Sequence, residues 1–184
     1  WLGEQGSRLN LFAAVAVSVP LVLGVCATKL DKGFSRLYRG VLLDELKAYM
    51  HNKLQHLDST GQTQEAMKVR ELGDLSAIGS FWQYDDRVVA KLHGFDDVHD
   101  YYRRSSSRQY LKSIAVPTLV IQAVDDPFMT REVLPGPDEV SPRVQLEFTE
   151  LGGHVVFISG LIPFMPEYWL ERLIPEFLLR HRAA

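Results

Sequence analysis

The chain has 184 residues, which at roughly 150 residues per domain gives one domain with a sizeable core. Its 20 basic and 23 acidic side chains leave a net charge of −3, without the overall cationic excess that nucleic acid or an anionic membrane rewards. With 46% hydrophobic and 23% charged residues, 9 Pro and 13 Gly, it is composed like an ordinary soluble globular protein and unlike disordered, collagenous or disulfide-rich chains.

Trp1-Leu2-Gly3-Glu4-Gln5-Gly6 reads as the end of a helix closed by a glycine cap. The most apolar run, residues 11–26, has 16 positions interrupted by Ser18, Pro20 and Gly24, short of the roughly 20 that span a bilayer. No transmembrane segment is expected, and the thin charge before the run argues against a signal peptide. Cys26, the single cysteine, cannot close an internal disulfide and reads as a small buried hydrophobe, so a reducing cytoplasm is the expected compartment.

Within that run, residues 13–19 are rich in Val and Ala and lack a helical period, as in a parallel strand buried on both faces. Leu42, Leu46, Tyr49, Met50 and Leu54 then recur at helical spacing, and residues 64–72 form a shorter amphipathic helix. Val88, Val89, Leu92 and His93 suggest another, ended by Gly94, and Val98, Tyr101 and Tyr102 open a further helix before the Ser105-Ser106-Ser107 break. Residues 118–124 repeat the buried-strand pattern, introduced by Pro117 and ended by Asp125-Asp126-Pro127. Residues 144–149 alternate apolar and polar, which predicts a strand towards one edge. Trp169, Leu170, Leu173, Ile174, Phe177 and Leu178 form the stripe of a helix that should cover one sheet face, with Pro175 marking a kink or restart.

This order is an α/β pattern: a mostly parallel sheet from residues 1–26 and 114–184, with a helical insertion over 27–113. Functional loops of a parallel sheet lie beyond the C-terminal ends of its strands. Two such loops carry titratable groups, residues 123–128 after the second strand and residues 150–154 after the third. If those strands are neighbours, an Asp and His154 meet at one edge, where the carboxylate can accept Nδ1–H and leave Nε2 as a base. Gly152 and Gly153 suit a tight backbone path that places the imidazole. Each loop alone is an ordinary turn; the two in this order are the signal.

Several stretches resemble a known family. They are Lys32-Gly33-Phe34-Ser35-Arg36-Leu37-Tyr38, Tyr84-Asp85-Asp86, His93-Gly94-Phe95, Asp100-Tyr101-Tyr102, Pro117-Thr118-Leu119, Asp125-Asp126-Pro127-Phe128-Met129 and Gly152-Gly153-His154-Val155. Together they resemble the α/β-hydrolase fold, and more narrowly its YheT-like branch of predicted esterases, over essentially the whole chain. The resemblance implies a Ser-Asp-His triad in that chain order, with the serine on a G-x-S-x-G turn between strand and helix. It implies Asp126 as the acid and His154, 28 residues later, as the base. Asp125 is the alternative acid; otherwise it is a turn residue or a supporting acceptor.

No G-x-S-x-G occurs in these residues. Gly33-Phe34-Ser35-Arg36-Leu37 comes nearest, but it enters a predicted helix, so Ser35 reads as a helix N-cap. The resemblance therefore places the nucleophile and the oxyanion donors upstream of Trp1, and the chain alone should be nearly inactive. The expected substrate is a small-molecule or lipid ester, with no cofactor. Asp85, Asp86, Asp96, Asp97, His99 and Asp100 cluster in the insertion, but their spacing fits neither an EF-hand nor a zinc signature and no metal is expected. His93, Tyr101 and Tyr102 read as core before acyl pocket. Two rival readings remain: a non-catalytic interaction module on the same fold, and a nucleotide-binding doubly wound domain, which the missing phosphate loop disfavours.

Overall fold

Three short segments that exclude water on at least one side set the architecture. The computed structural model describes residues 1–159 and 167–182. In chain order they form α1 (Leu2–Gln5), β1 (Ala14–Val17), α2 (Leu23–Leu30), α3 (Ser35–Ser59), α4 (Thr63–Arg70), α5 (Phe81–Tyr84), α6 (Lys91–His93) and α7 (Val98–Ser105). There follow β2 (Thr118–Ala123), β3 (Val144–Thr149), the two-residue strands β4 (Ile158–Ser159) and β5 (Glu167–Tyr168), and α8 (Trp169–Arg182). Contacts divide the chain into a sheet unit, Trp1–Val25 with Ser106–Ala184, and a helical unit, Cys26–Ser105.

In the sheet unit β1, β2 and β3 lie side by side in that order, all parallel, with Ala14 opposite Thr118 and Thr118 opposite Val144. This is an α/β arrangement. Central β2 is buried at every position, whereas β1 is only half-buried throughout. The difference from the fully buried strand expected at residues 13–19 follows from position, since among the described residues β1 pairs with β2 alone. Alternation along β2 builds two cores. Leu119, Ile121 and Ala123 meet Trp169, Leu173, Ile174 and Phe177 of α8, and Val120 meets Leu21, Leu111, Ile114 and Val144 on the other face. α8 runs unbroken through Pro175, because the apolar residues on both sides of it pack on the sheet and hold the helix through one lost backbone bond. Residues 106–113 were expected within the insertion; Leu111 instead belongs to the sheet core.

In the helical unit, Leu43, Met50 and Leu57 of α3 pack with Ala66 and Val69 of α4 and with Tyr84 and Val88. Between α5 and α6 the helix widens into a π-type segment, Asp85–Ala90, and α6 then ends on Gly94 in the left-handed conformation with φ 72°. Such a widened turn reorients the residues at its start. Asp85 Oδ2 accepts from the Tyr102 hydroxyl at 2.6 Å, and Asp86 Oδ1 accepts from the Val98 N–H at 3.0 Å, at the start of α7. Ser35 is not the N-cap that the sequence suggested. Phe34 occupies that position, and Ser35 is buried in the first turn of α3.

Candidate active site

Because β2 and β3 are parallel neighbours, the loops leaving them emerge at one edge. The ladder continues one step past β2, where Val124 N–H donates to the Thr149 carbonyl at 2.8 Å. Beyond it, Asp126 folds back on its own loop: Oδ1 accepts from the Phe128 N–H at 2.8 Å, an Asx turn stiffened by Pro127. That leaves Oδ2 directed at His154 Nδ1, 2.9 Å away. The Asp126 side chain is 1% exposed and that of His154 33%, so the carboxylate is sealed beneath an imidazole that still reaches solvent. A carboxylate can only accept, which assigns the proton to Nδ1 and leaves Nε2 as a base. The Phe128 ring lies 4.4 Å from the imidazole centroid and limits its rotation.

Asp125 holds the backbone on the other side of the loop. Its Oδ1 accepts from the Gly152 and Gly153 N–H groups, each at 2.9 Å. Gly153 has φ 60°, a conformation that costs other residues. A Cβ on Gly152 would stand 2.7 Å from the Phe157 ring and 3.0 Å from Ala123, so that position admits only glycine without movement. Phe157, itself at φ 42°, is buried against Trp169 and anchors the far end of the loop in the sheet core. Asp125 and Asp126 thus divide two tasks between adjacent positions.

Sequence reasoning missed one participant. Ser18, just past β1, is 4% exposed with φ 52°, and its hydroxyl donates to the His154 carbonyl oxygen. The contact spans 136 residues, so no local pattern could have shown it. The loop also exposes Leu151, Val155 and Val156 on either side of His154. Ser35 lies in the helical unit. There Asp100 is engaged by Arg103 and Arg104, and among the described residues no group of three acidic, His or Cys side chains is placed to hold a metal ion. No helix among the described residues is long and apolar enough to cross a membrane.

Known proteins resemble the chain along its length. It is 40% identical over 183 residues to the protein named "Putative esterase YheT" of Escherichia coli (strain K12), covering 100% of this chain and 52% of that protein. To human "Monoacylglycerol lipase ABHD2" it is 30% identical over 148 residues, 77% of this chain and 35% of that one. To human "Phospholipase ABHD3" it is 27% identical over 179 residues, 97% and 42% respectively. The chain therefore spans about half, or less, of the length of these relatives. No family model matches it, and no solved structure matches it. With its parallel sheet and a match at 40% identity over the whole of this chain, the chain belongs to the α/β-hydrolase family, in its YheT-like branch.

Proposed function

We propose that the protein is a serine-dependent carboxylesterase acting on short-chain esters or acylglycerols through an acyl-enzyme. The observation that carries this reading is the 2.9 Å contact between Asp126 and His154 at the ends of neighbouring parallel strands. His154 is the general base and then the general acid, and Asp126 orients it. The nucleophile is a serine upstream of Trp1, in the chain order Ser, Asp, His. As its Oγ bonds to the acyl carbon, Nε2 takes the hydroxyl proton; the imidazolium then gives that proton to the departing alkoxide. Water repeats the sequence on the acyl-enzyme, with Nε2 taking its proton, and the carboxylic acid leaves as the serine is reprotonated. Leu151, Val155 and Val156 offer apolar surface for the acyl group. The names of the relatives, an esterase and two lipid hydrolases, support an ester substrate.

Fluorophosphonate labelling followed by intact-mass and peptide analysis tests the reading. The full-length protein is expected to take one adduct, on a serine outside these 184 residues, and His154→Ala is expected to suppress it. The 184-residue chain alone should stay unlabelled. An adduct on Ser18 or Ser35 would move the nucleophile into this chain. A folded full-length protein that takes no adduct would favour a non-catalytic module.

A further inference from the structure

Three hydrogen bonds fix the path of the chain as it leaves β1. Ser18 N–H donates to the Ile121 carbonyl at 2.9 Å, which carries the β1–β2 ladder one step further. Gln122 of β2, wholly buried, donates from Nε2 to the Val19 carbonyl at 2.7 Å. Arg108 N–H donates to the carbonyl of Leu21 at 3.1 Å, and the Leu21 side chain is itself sealed in the sheet core. Held on both sides, Ser18 takes φ 52°, in the left-handed region that L side chains avoid. Glycine would adopt this conformation without strain. A serine is retained there although its backbone is strained, and strain of this kind is kept where a side chain has a task.

The task is visible in what the hydroxyl meets. Ser18 is buried, and its Oγ–H donates to the His154 main-chain carbonyl rather than to the ring. The other contacts that place His154 come from one loop, the one after β2: Asp126 Oδ2 on Nδ1, and Asp125 Oδ1 on the Gly152 and Gly153 amides. The Ser18 bond comes from β1, on the far side of β2 from β3, and so adds a fixed point from a second strand. An imidazole serves as a base only while its position is held within a fraction of an ångström, and two anchors on separate strands resist a pivot that one loop alone permits. We propose that Ser18 is a positioning residue, fixing the His154 main chain so that Nδ1 stays on Asp126 and Nε2 stays free as the base. Its service to hydrolysis rests on the esterase reading above; its hold on the imidazole does not.

Ser18→Gly in the full-length protein separates positioning from folding, because glycine accepts φ 52° and removes only the hydroxymethyl group. The imidazole ¹⁵N shifts report which ring nitrogen carries the proton. In the unaltered protein neutral His154 is expected wholly in the Nδ1–H form; in Ser18→Gly it should be a mixture of both forms, with the melting temperature little changed. Turnover of a nitrophenyl ester should fall about tenfold in kcat, with KM within about twofold. Ser18→Ala should show the same loss at a lower melting temperature than Ser18→Gly, since alanine keeps the strained backbone. A folded Ser18→Gly protein whose His154 stays wholly in the Nδ1–H form would overturn the proposal whatever its turnover, as would a loss carried by KM alone. Turnover that survives His154→Ala would overturn the hydrolase reading instead, and the ring proton would still decide the role of Ser18.

Discussion

Asp126 in the sheet unit and Asp85 in the helical unit are both carboxylates withdrawn from water, and their partners differ in kind. Asp126 has one oxygen on a backbone N–H and the other on an imidazole that reaches solvent. Asp85 has a phenol, Tyr102, and burial pushes its carboxyl up to about 6 although that hydrogen bond acts the other way. The first arrangement transmits an orientation to a group that can react. The second ends on Tyr102, whose ring is packed against Trp82 and whose own hydroxyl is raised by burial and by Asp85. Burial of a carboxylate therefore does not single out a candidate site by itself; what separates the two is whether its partner reaches solvent.

The contrast breaks most sharply on turnover. Asp126→Ala or His154→Ala in the full-length protein should reduce hydrolysis of a nitrophenyl ester by about 10³ to 10⁴, while Asp85→Asn should leave it within about threefold. An Asp85→Asn protein that is folded and inactive would erase the distinction. Within the sheet unit, Asp125→Ala should lower kcat about tenfold, with Asp125→Asn recovering most of the loss because an amide oxygen still accepts the two glycine N–H groups. Gly152→Ala should cost about 1–2 kcal/mol in urea unfolding, since the new methyl meets Phe157 at 2.7 Å.

The smallest effects concern pH. The folded Asp85 carboxyl sits near 6, above its usual 3.8, so the native state favours the protonated form. Its contribution to stability is complete below about pH 4 and is lost as pH rises to about 6. Asp85→Asn should raise stability at pH 7.5 by about 1–2 kcal/mol and change little at pH 4, read by thermal unfolding across pH. Glu139 in the sheet unit has the opposite sign. Arg108 grips it through two hydrogen bonds, with the Gly136 N–H adding a third, and its carboxyl is lowered from 4.5 to about 2. Its contribution is present above pH 4.5 and is lost as pH falls towards 2, so Glu139→Gln should flatten the acid limb of the unfolding profile.

What the sequence conveys follows the range of the interaction. β3 is legible to the residue because Val144, Leu146 and Phe148 alternate with polar neighbours, and β2 to within one residue, ending at Ala123 rather than 124, because it is buried on both faces. Strand order then brings the loops after β2 and β3 to one edge, and the family resemblance favours Asp126 over Asp125 for the contact with His154. Asp125 is legible as a supporting acceptor, but its partners, the Gly152 and Gly153 amides, are not, because they depend on how the loop is offset by a single residue. The widened turn at Asp85–Ala90 has no residue signature, being selected by what Asp85 and Asp86 reach across the unit. Ser35 was misplaced by one position because Phe34 already has helical dihedrals, φ −64° and ψ −27°, and its carbonyl accepts from the Leu37 N–H at 3.0 Å, so the first turn starts before the serine.

Asp125 holds the His154 loop by main-chain amides, and no side chain of the loop takes part in that grip. Positions 151, 155 and 156 are therefore open to diversification in a way that 152 and 153 are not. A combinatorial library confined to Leu151, Val155 and Val156 would vary the chemistry beside the imidazole while inheriting its placement unchanged, and on the proposed esterase reading it is the starting point for altering acyl preference.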